Sequence, residues 1–147
     1  MKKILIAIDD SSDSDNIASA GLEFCKQLNP TIALISVADI SFVITDGVAT
    51  SEEVADMVKA GLKKNHEMLI DKHFPEHTVS TFIEVGKPDE MILKVADEWE
   101  ADLIILGTHG RTGLSHILLG SVAEKVIRHS TRPLLVIPNK INSNEAD

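Results

Sequence analysis

The chain has 147 residues, of which 44% are apolar, 25% charged and only 3% aromatic, with 14 basic against 23 acidic side chains and a formal charge of -9. That apolar share fills the core of one ordinary domain and excludes a disordered acidic chain. The negative balance argues against generic binding to nucleic acid or to an anionic membrane, because both need a basic surface.

Met1 to Ile8 superficially resembles a leader, but its apolar run is short and Asp9 and Asp10 follow at once, so it reads as a first strand. Ile17, Ala20, Gly21, Phe24, Cys25 and Leu28 then follow helical spacing behind the cluster Ser11 to Asp15. Ile32 to Val37 reads as a second strand, and Asp39 to Ala49 as the one long connection. Thr50 and Glu53 form a candidate capping box opening a long helix through Val54, Val58, Leu62, His66 and Leu69, stopped by Pro75. Val79 to Val85 alternates and is expected near a sheet edge. Pro88 starts a third helix bearing Met91, Ile92, Val95, Ala96 and Trp99. Leu103 to Leu106 is a fourth strand, Ser121 to His129 a fourth helix, and Leu134 to Ile137 a fifth strand. Residues 139–147 read as a polar tail, and no linker divides the chain, so residues 1–147 form one domain. Continuous apolar strands alternating with helices predict an α/β fold with an open parallel sheet.

In such a sheet ligands bind beyond the carboxyl ends of the strands, where the strand order reverses. The richest segment there is Gly107-Thr108-His109-Gly110-Arg111-Thr112-Gly113. Its glycines let backbone N–H groups approach an anion and adopt positive φ, the threonines add hydroxyls, and Arg111 adds a charged donor. Gly120-Ser121 precedes a helix whose N-terminus is a ready anion site. Ser121 with Glu124 also fits a capping box, and capping and phosphate binding compete for the same donors. The sequence leaves both readings open. A Walker P-loop, the Gly-x-Gly-x-x-Gly dinucleotide fingerprint and a Ser-Gly-Gly-x-Asp-Ser loop are all absent.

The pattern Gly107-x2-Gly110-x9-Gly120-Ser121 resembles the ATP-binding signature of the universal stress proteins, the UspA-like family. Lys3 to Asp9, Gly86-Lys87-Pro88, Ala101 to Gly107, Leu118 to Ala123 and Arg132 to Pro138 are similar to that family in the same order; the likeness is weakest between Asp39 and Thr78. The resemblance implies a five-stranded sheet of order 3-2-1-4-5, Rossmann-like, with two helices on each face. It also implies ATP, or AMP or ADP, between the first and fourth strands. Carried over, Ala7 and Asp9 flank the adenosine, the Val37 backbone meets the adenine edge, and Gly107, His109 and Gly110 wrap the ribose and α-phosphate. Gly120, Ser121 and Val122 hold the outer phosphates, with Arg111, Thr112 and Gly113 in the same loop. Mg²⁺ or Mn²⁺ is expected on the phosphates, since the sequence offers no dedicated carboxylate cage. Members commonly form a homodimer through the last strand, here Leu134 to Ile137, which would cover an open sheet edge.

Plainer readings stand beside these. Asp9 can serve merely to start the turn after its strand, Cys25 and Trp99 read as packing, and the acidic run Asp97 to Asp102 as a solvated helix end. The six histidines offer no convincing metal set, since Pro75 separates His73 from His77 and should end the helix. With one cysteine there is no intrachain disulfide and no cysteine cluster, and no apolar stretch reaches the roughly 18 residues of a bilayer span, so a cytoplasmic protein is expected. No catalytic residue is identified. The expected function is a nucleotide-responsive homodimeric binding module in the stress response, acting on an unnamed protein partner. The alternatives are a slow ATPase or nucleotide-transfer enzyme, and an ATP-independent dimeric scaffold.

Overall fold

A computed structural model describes residues 2–9, 11, 13–41, 49–108 and 119–138. Among these the chain runs β1 (Lys3–Ala7), α1 (Ser14–Cys25), β2 (Thr31–Ala38), α2 (Ser51–His73), β3 (Val79–Val85), α3 (Pro88–Trp99), β4 (Leu103–Gly107), α4 (Ser121–His129) and β5 (Leu134–Ile137). The strands form one parallel sheet of order β3-β2-β1-β4-β5, with β3 at one edge and β5 at the other. The central strands read as unbroken apolar runs because both their faces are covered. Ile4, Ile6 and Ile8 of the first strand segment pack toward α1 and α2 with Ile17, Cys25, Leu69 and Phe74. Leu5 and Ala7 point the opposite way, toward α3 and α4 with Ile92, Val95, Ala123 and Val126.

Local chemistry sets the helix ends. The Thr50 side chain accepts the Glu53 N–H at 3.1 Å and opens α2, as its spacing predicts. Gly86 has φ +151°, a conformation that suits glycine, and a Cβ there would lie 3.1 Å from Met91 Cγ. Two apolar stripes are narrower than the sequence implies. In α1 the buried set is Ile17, Ala18, Gly21 and Cys25, which leaves Phe24 52% exposed on the flank, while Leu28 lies beyond the helix end and is also exposed. In α2 the buried residues are Leu62, His66 and Leu69, and Val58 faces solvent. At 23 residues α2 is roughly 34 Å long, and its buried residues all lie from its midpoint onward, while Val54 and Ala55 are only half-buried.

Candidate functional site

The connections β1 to β2 to β3 step outward on one side, and β4 then returns to the other side of β1. Between β1 and β4 the strand order therefore reverses, and the carboxyl ends splay apart there. A cavity of about 420 Å³ occupies this position, within the range of small-molecule sites. Ala7, Val37, Ile92, Leu106 and Ala123 wall it with aliphatic surface, and Asp9, Asp39, Thr108 and Ser121 add polar groups around it.

One wall is the start of α4. Gly120 is the N-cap, with φ -72° and ψ 161°, and the first bond inside the helix runs from the Glu124 N–H to the Gly120 carbonyl at 2.9 Å. The N–H groups of Ser121, Val122 and Ala123 precede that bond, so the helix supplies them no acceptor, and its positive dipole end adds to them. This corrects the capping-box reading of Ser121 and Glu124: Ser121 is the first helical residue, not the cap, so its hydroxyl does not compete for those donors. Positive φ is likewise not what Gly107 and Gly120 supply, since neither is among the described glycines with positive φ. Both glycines line the cavity with backbone alone. The base of the intervening loop is pinned: Gly120 N–H donates to the Thr108 carbonyl at 2.6 Å, and Thr108 N–H to the Ile137 carbonyl at 3.0 Å.

The β1 and β2 side is equally specific. Asp9 lines the cavity, and its Oδ1 accepts the Ser11 N–H at 2.9 Å. The turn-starting role is thus real, and among the described residues it uses one carboxylate oxygen. On β2, Thr31 N–H donates to Lys2 and the Ile35 carbonyl accepts from Ile8, so odd-numbered residues turn their backbone toward β1. Val37, two residues further, turns the same way past the point where β1 has left the sheet, and lines the cavity.

The structure brings Ala7, Asp9, Val37, Gly107, Gly120, Ser121 and Val122 around one cavity. His109, Gly110, Arg111, Thr112 and Gly113 lie outside the described residues. The cavity is also lined by Asp39 and Pro88, which follow β2 and β3 at the strand ends where a ligand is expected, and by Ile92, to which the sequence assigns only packing. Asp39 carried a signal, since it follows β2 directly as Asp9 follows β1. Pro88 otherwise signalled only helix initiation and Ile92 only packing, because only the placement of α3 against β2 and α4 brings them to the cavity.

Other reactive side chains are accounted for elsewhere. Cys25 is buried, and burial pushes its thiol up to about 11, so it packs as a small apolar group. His73 Nε2 pairs with Asp15 at 2.9 Å, and with Lys72 it holds the Asp15 carboxyl below the usual range. Trp99 packs edge-on against Phe82, with Lys3 Nζ 5.4 Å from its ring centre. Among the described residues no three His, Cys, Asp or Glu side chains are grouped to hold a metal, and no helix is long and apolar enough to cross a membrane.

A parallel sheet with an aliphatic cavity, a helix N-terminus and a strand-end aspartate at its switch point defines a Rossmann-like α/β protein. The universal stress protein family matches residues 1–138, and the chain belongs to that family. Universal stress protein MJ0531 of Methanocaldococcus jannaschii is 36% identical over 141 residues, covering 92% of this chain and 81% of that protein. The solved structure of MJ0577 from the same organism, a protein whose biochemical function was assigned from its structure, superposes with a TM-score of 0.83. It is 33% identical, over 96% of this chain and 98% of that one. A universal stress protein solved in complex with cAMP is 17% identical and shares the fold, with a TM-score of 0.69 over 95% of this chain and 98% of that one.

Proposed function

We propose that this chain is an ATP-binding universal stress protein, a homodimeric cytoplasmic module whose contact with a protein partner depends on nucleotide occupancy. The observation that carries the reading is the α4 N-terminus, which turns three backbone N–H groups without helical acceptors toward the aliphatic cavity at the β1–β4 switch point. Phosphates meet Gly120, Ser121 and Val122; the adenine lies against Val37 and aliphatic side chains; the Asp9 carboxylate takes ribose hydroxyls or base. A fold relative in complex with cAMP fits the same choice of ligand. The donors at the phosphate end suit anionic oxygens, so Mg²⁺ or Mn²⁺ rides on the phosphates themselves. Binding alters partner affinity only to the extent that the partner distinguishes loaded from empty protein. The buried free thiol of Cys25 suits a reducing compartment.

The dimer reading rests on β5. Ile104 N–H donates to Pro133 and Thr108 N–H to Ile137, so odd-numbered residues of β5 bond to β4. Leu134 and Val136 accordingly turn their backbone groups to the open edge, where a second copy can pair antiparallel across a two-fold axis. Mass spectrometry of ligand released from the purified protein, followed by calorimetric titration with ATP, tests the nucleotide reading. Recovered adenine nucleotide with stoichiometric ATP binding is expected, and an empty protein that ignores ATP would overturn it.

A further inference from the structure

The two carbonyls that follow β1, those of Ile8 and Asp9, are gripped by side chains of three other elements. Ser36 Oγ, on β2, donates to the Ile8 carbonyl. His66 Nε2, on α2, stands 2.6 Å from that same Ser36 oxygen. The next carbonyl, that of Asp9, accepts from Ser14 Oγ of α1 and from Asn65 Nδ2 of α2, the latter at 3.3 Å. His66 is 0% and Ser36 1% exposed, so their bonds are made in the interior, where each is stronger and its loss more damaging.

Proton counting orients the chain. A serine hydroxyl has one proton, and Ser36 commits it to Ile8, so His66 Nε2 must carry the proton it shares with Ser36. Nδ1 is then the unprotonated nitrogen, and it is buried without a hydrogen-bond partner. Burial agrees, pushing the His66 imidazole down to about 4 and so holding it neutral. A leucine would complete the Leu62–His66–Leu69 stripe without the cost of an orphaned nitrogen. The histidine at this position is explained by what it holds.

We propose that Asn65, His66 and Ser36 are positioning residues for the nucleotide site, fixing the chain at Ile8 and Asp9 so that the Asp9 carboxylate meets the ligand in one orientation. Asn65, His66 and Ser36 do not line the cavity; they act through the backbone of residues that do. Preorganisation of this kind lowers the ordering cost of binding. The inference rests on the nucleotide reading above.

The test has two arms on the full chain. In unliganded protein, ¹⁵N-edited NMR of the imidazole should report the Nε2–H tautomer, neutral at pH 6; an Nδ1–H tautomer or a charged ring overturns the relay whether or not ATP binds. In calorimetry, Ser36→Ala, which frees the Ile8 carbonyl and His66 Nε2, should weaken ATP binding by about tenfold, and Asn65→Ala, which removes a part-buried bond, by about threefold. In an Asp9→Asn background, which keeps the turn acceptor but lacks the charge, the same changes should add little. Equal losses in both backgrounds, or none in either, would sink the positioning role alone. Wild-type protein that binds no ATP overturns the nucleotide reading, and this role with it.

Discussion

At the amino end of the sheet, the Asp102 carboxylate takes the N–H groups of Lys2 and Lys3 on one oxygen, at 2.8 and 2.9 Å. Arg132 donates there to Asp97 and to the Ala101 carbonyl. At the carboxyl end, Asp9 spends one oxygen on Ser11, and the first three N–H groups of α4 find no helical acceptor. Both ends carry strand-flanking aspartates and exposed backbone dipoles. At one end these groups satisfy each other, and the sheet is closed. At the other they border a cavity, and the sheet offers them to a ligand. The difference lies in partners rather than in residue type, since the chain enters the sheet at Lys3 beside Asp102 but leaves it at Asp9 beside a gap.

The comparison breaks most directly at Gly120. Gly120→Val keeps a φ open to any residue but puts branched carbons over the α4 donors. ATP affinity should fall by about 100-fold or more, roughly 3 kcal/mol, with thermal stability little changed. Unchanged calorimetric affinity would move the phosphates elsewhere.

A second prediction of similar energy concerns pH. The His66 imidazole titrates near 6.5 when unfolded but only near 4 when buried. Between those values the unfolded chain binds the extra proton, so stability should decline as pH falls from about 6.5 to 4, by about 3 kcal/mol. His66→Gln, which keeps a donor and cannot titrate, should flatten that window in denaturant melts. The Lys2 and Lys3 N–H groups hold the Asp102 carboxyl below its usual range, so its contribution is lost only at pH below about 3.8, and His66→Gln should leave that limb intact. A variant that still declines between 6.5 and 4 would contradict the assignment.

The paired aspartates give the next contrast. Asp9→Ala should weaken ATP by about tenfold, as expected for one charge-assisted contact. Asp102→Ala should instead lower the melting midpoint while holding ATP affinity within about twofold, because distant sites act independently. A melting loss from Asp9→Ala without an affinity loss would make the two ends equivalent. Smallest in free energy per chain is Val136→Pro, which removes an outward N–H of β5 and spares the β4 ladder. It should convert a dimer to a monomer in sedimentation, and an unchanged dimer would place the interface elsewhere.

Much of this was legible in the sequence, for identifiable reasons. Strands buried on both faces advertise themselves as apolar runs, and β3 betrayed its edge position by alternating. Pro75, Pro88 and Thr50 marked helix ends through local chemistry alone. What failed depended on three-dimensional placement. Phe24 and Val58 fit helical spacing, yet both are exposed, because spacing alone does not set how wide a stripe the neighbouring elements cover. Asp102 is solvated, as the acidic run implies, but its anchoring of β1 across about 100 residues of chain carries no local signal. The Ser36–His66 pair is 30 residues apart, and neither residue follows a strand end in a way that marks it. At the site, the glycine spacing pointed to Gly107 and Gly120, which line the cavity, while Pro88 and Ile92 reach it only through the packing of α3 on β2.

The central claim is that the carboxyl end is the ligand-receiving end, and an amide-resolved NMR titration with ATP tests it most directly. The account predicts that the Gly120, Ser121, Val122 and Val37 amides shift in a saturable way while those of Lys2, Lys3 and Asp102 stay in place. Saturable shifts confined to the Lys2–Asp102 end, or none at Gly120 to Val122, would contradict it.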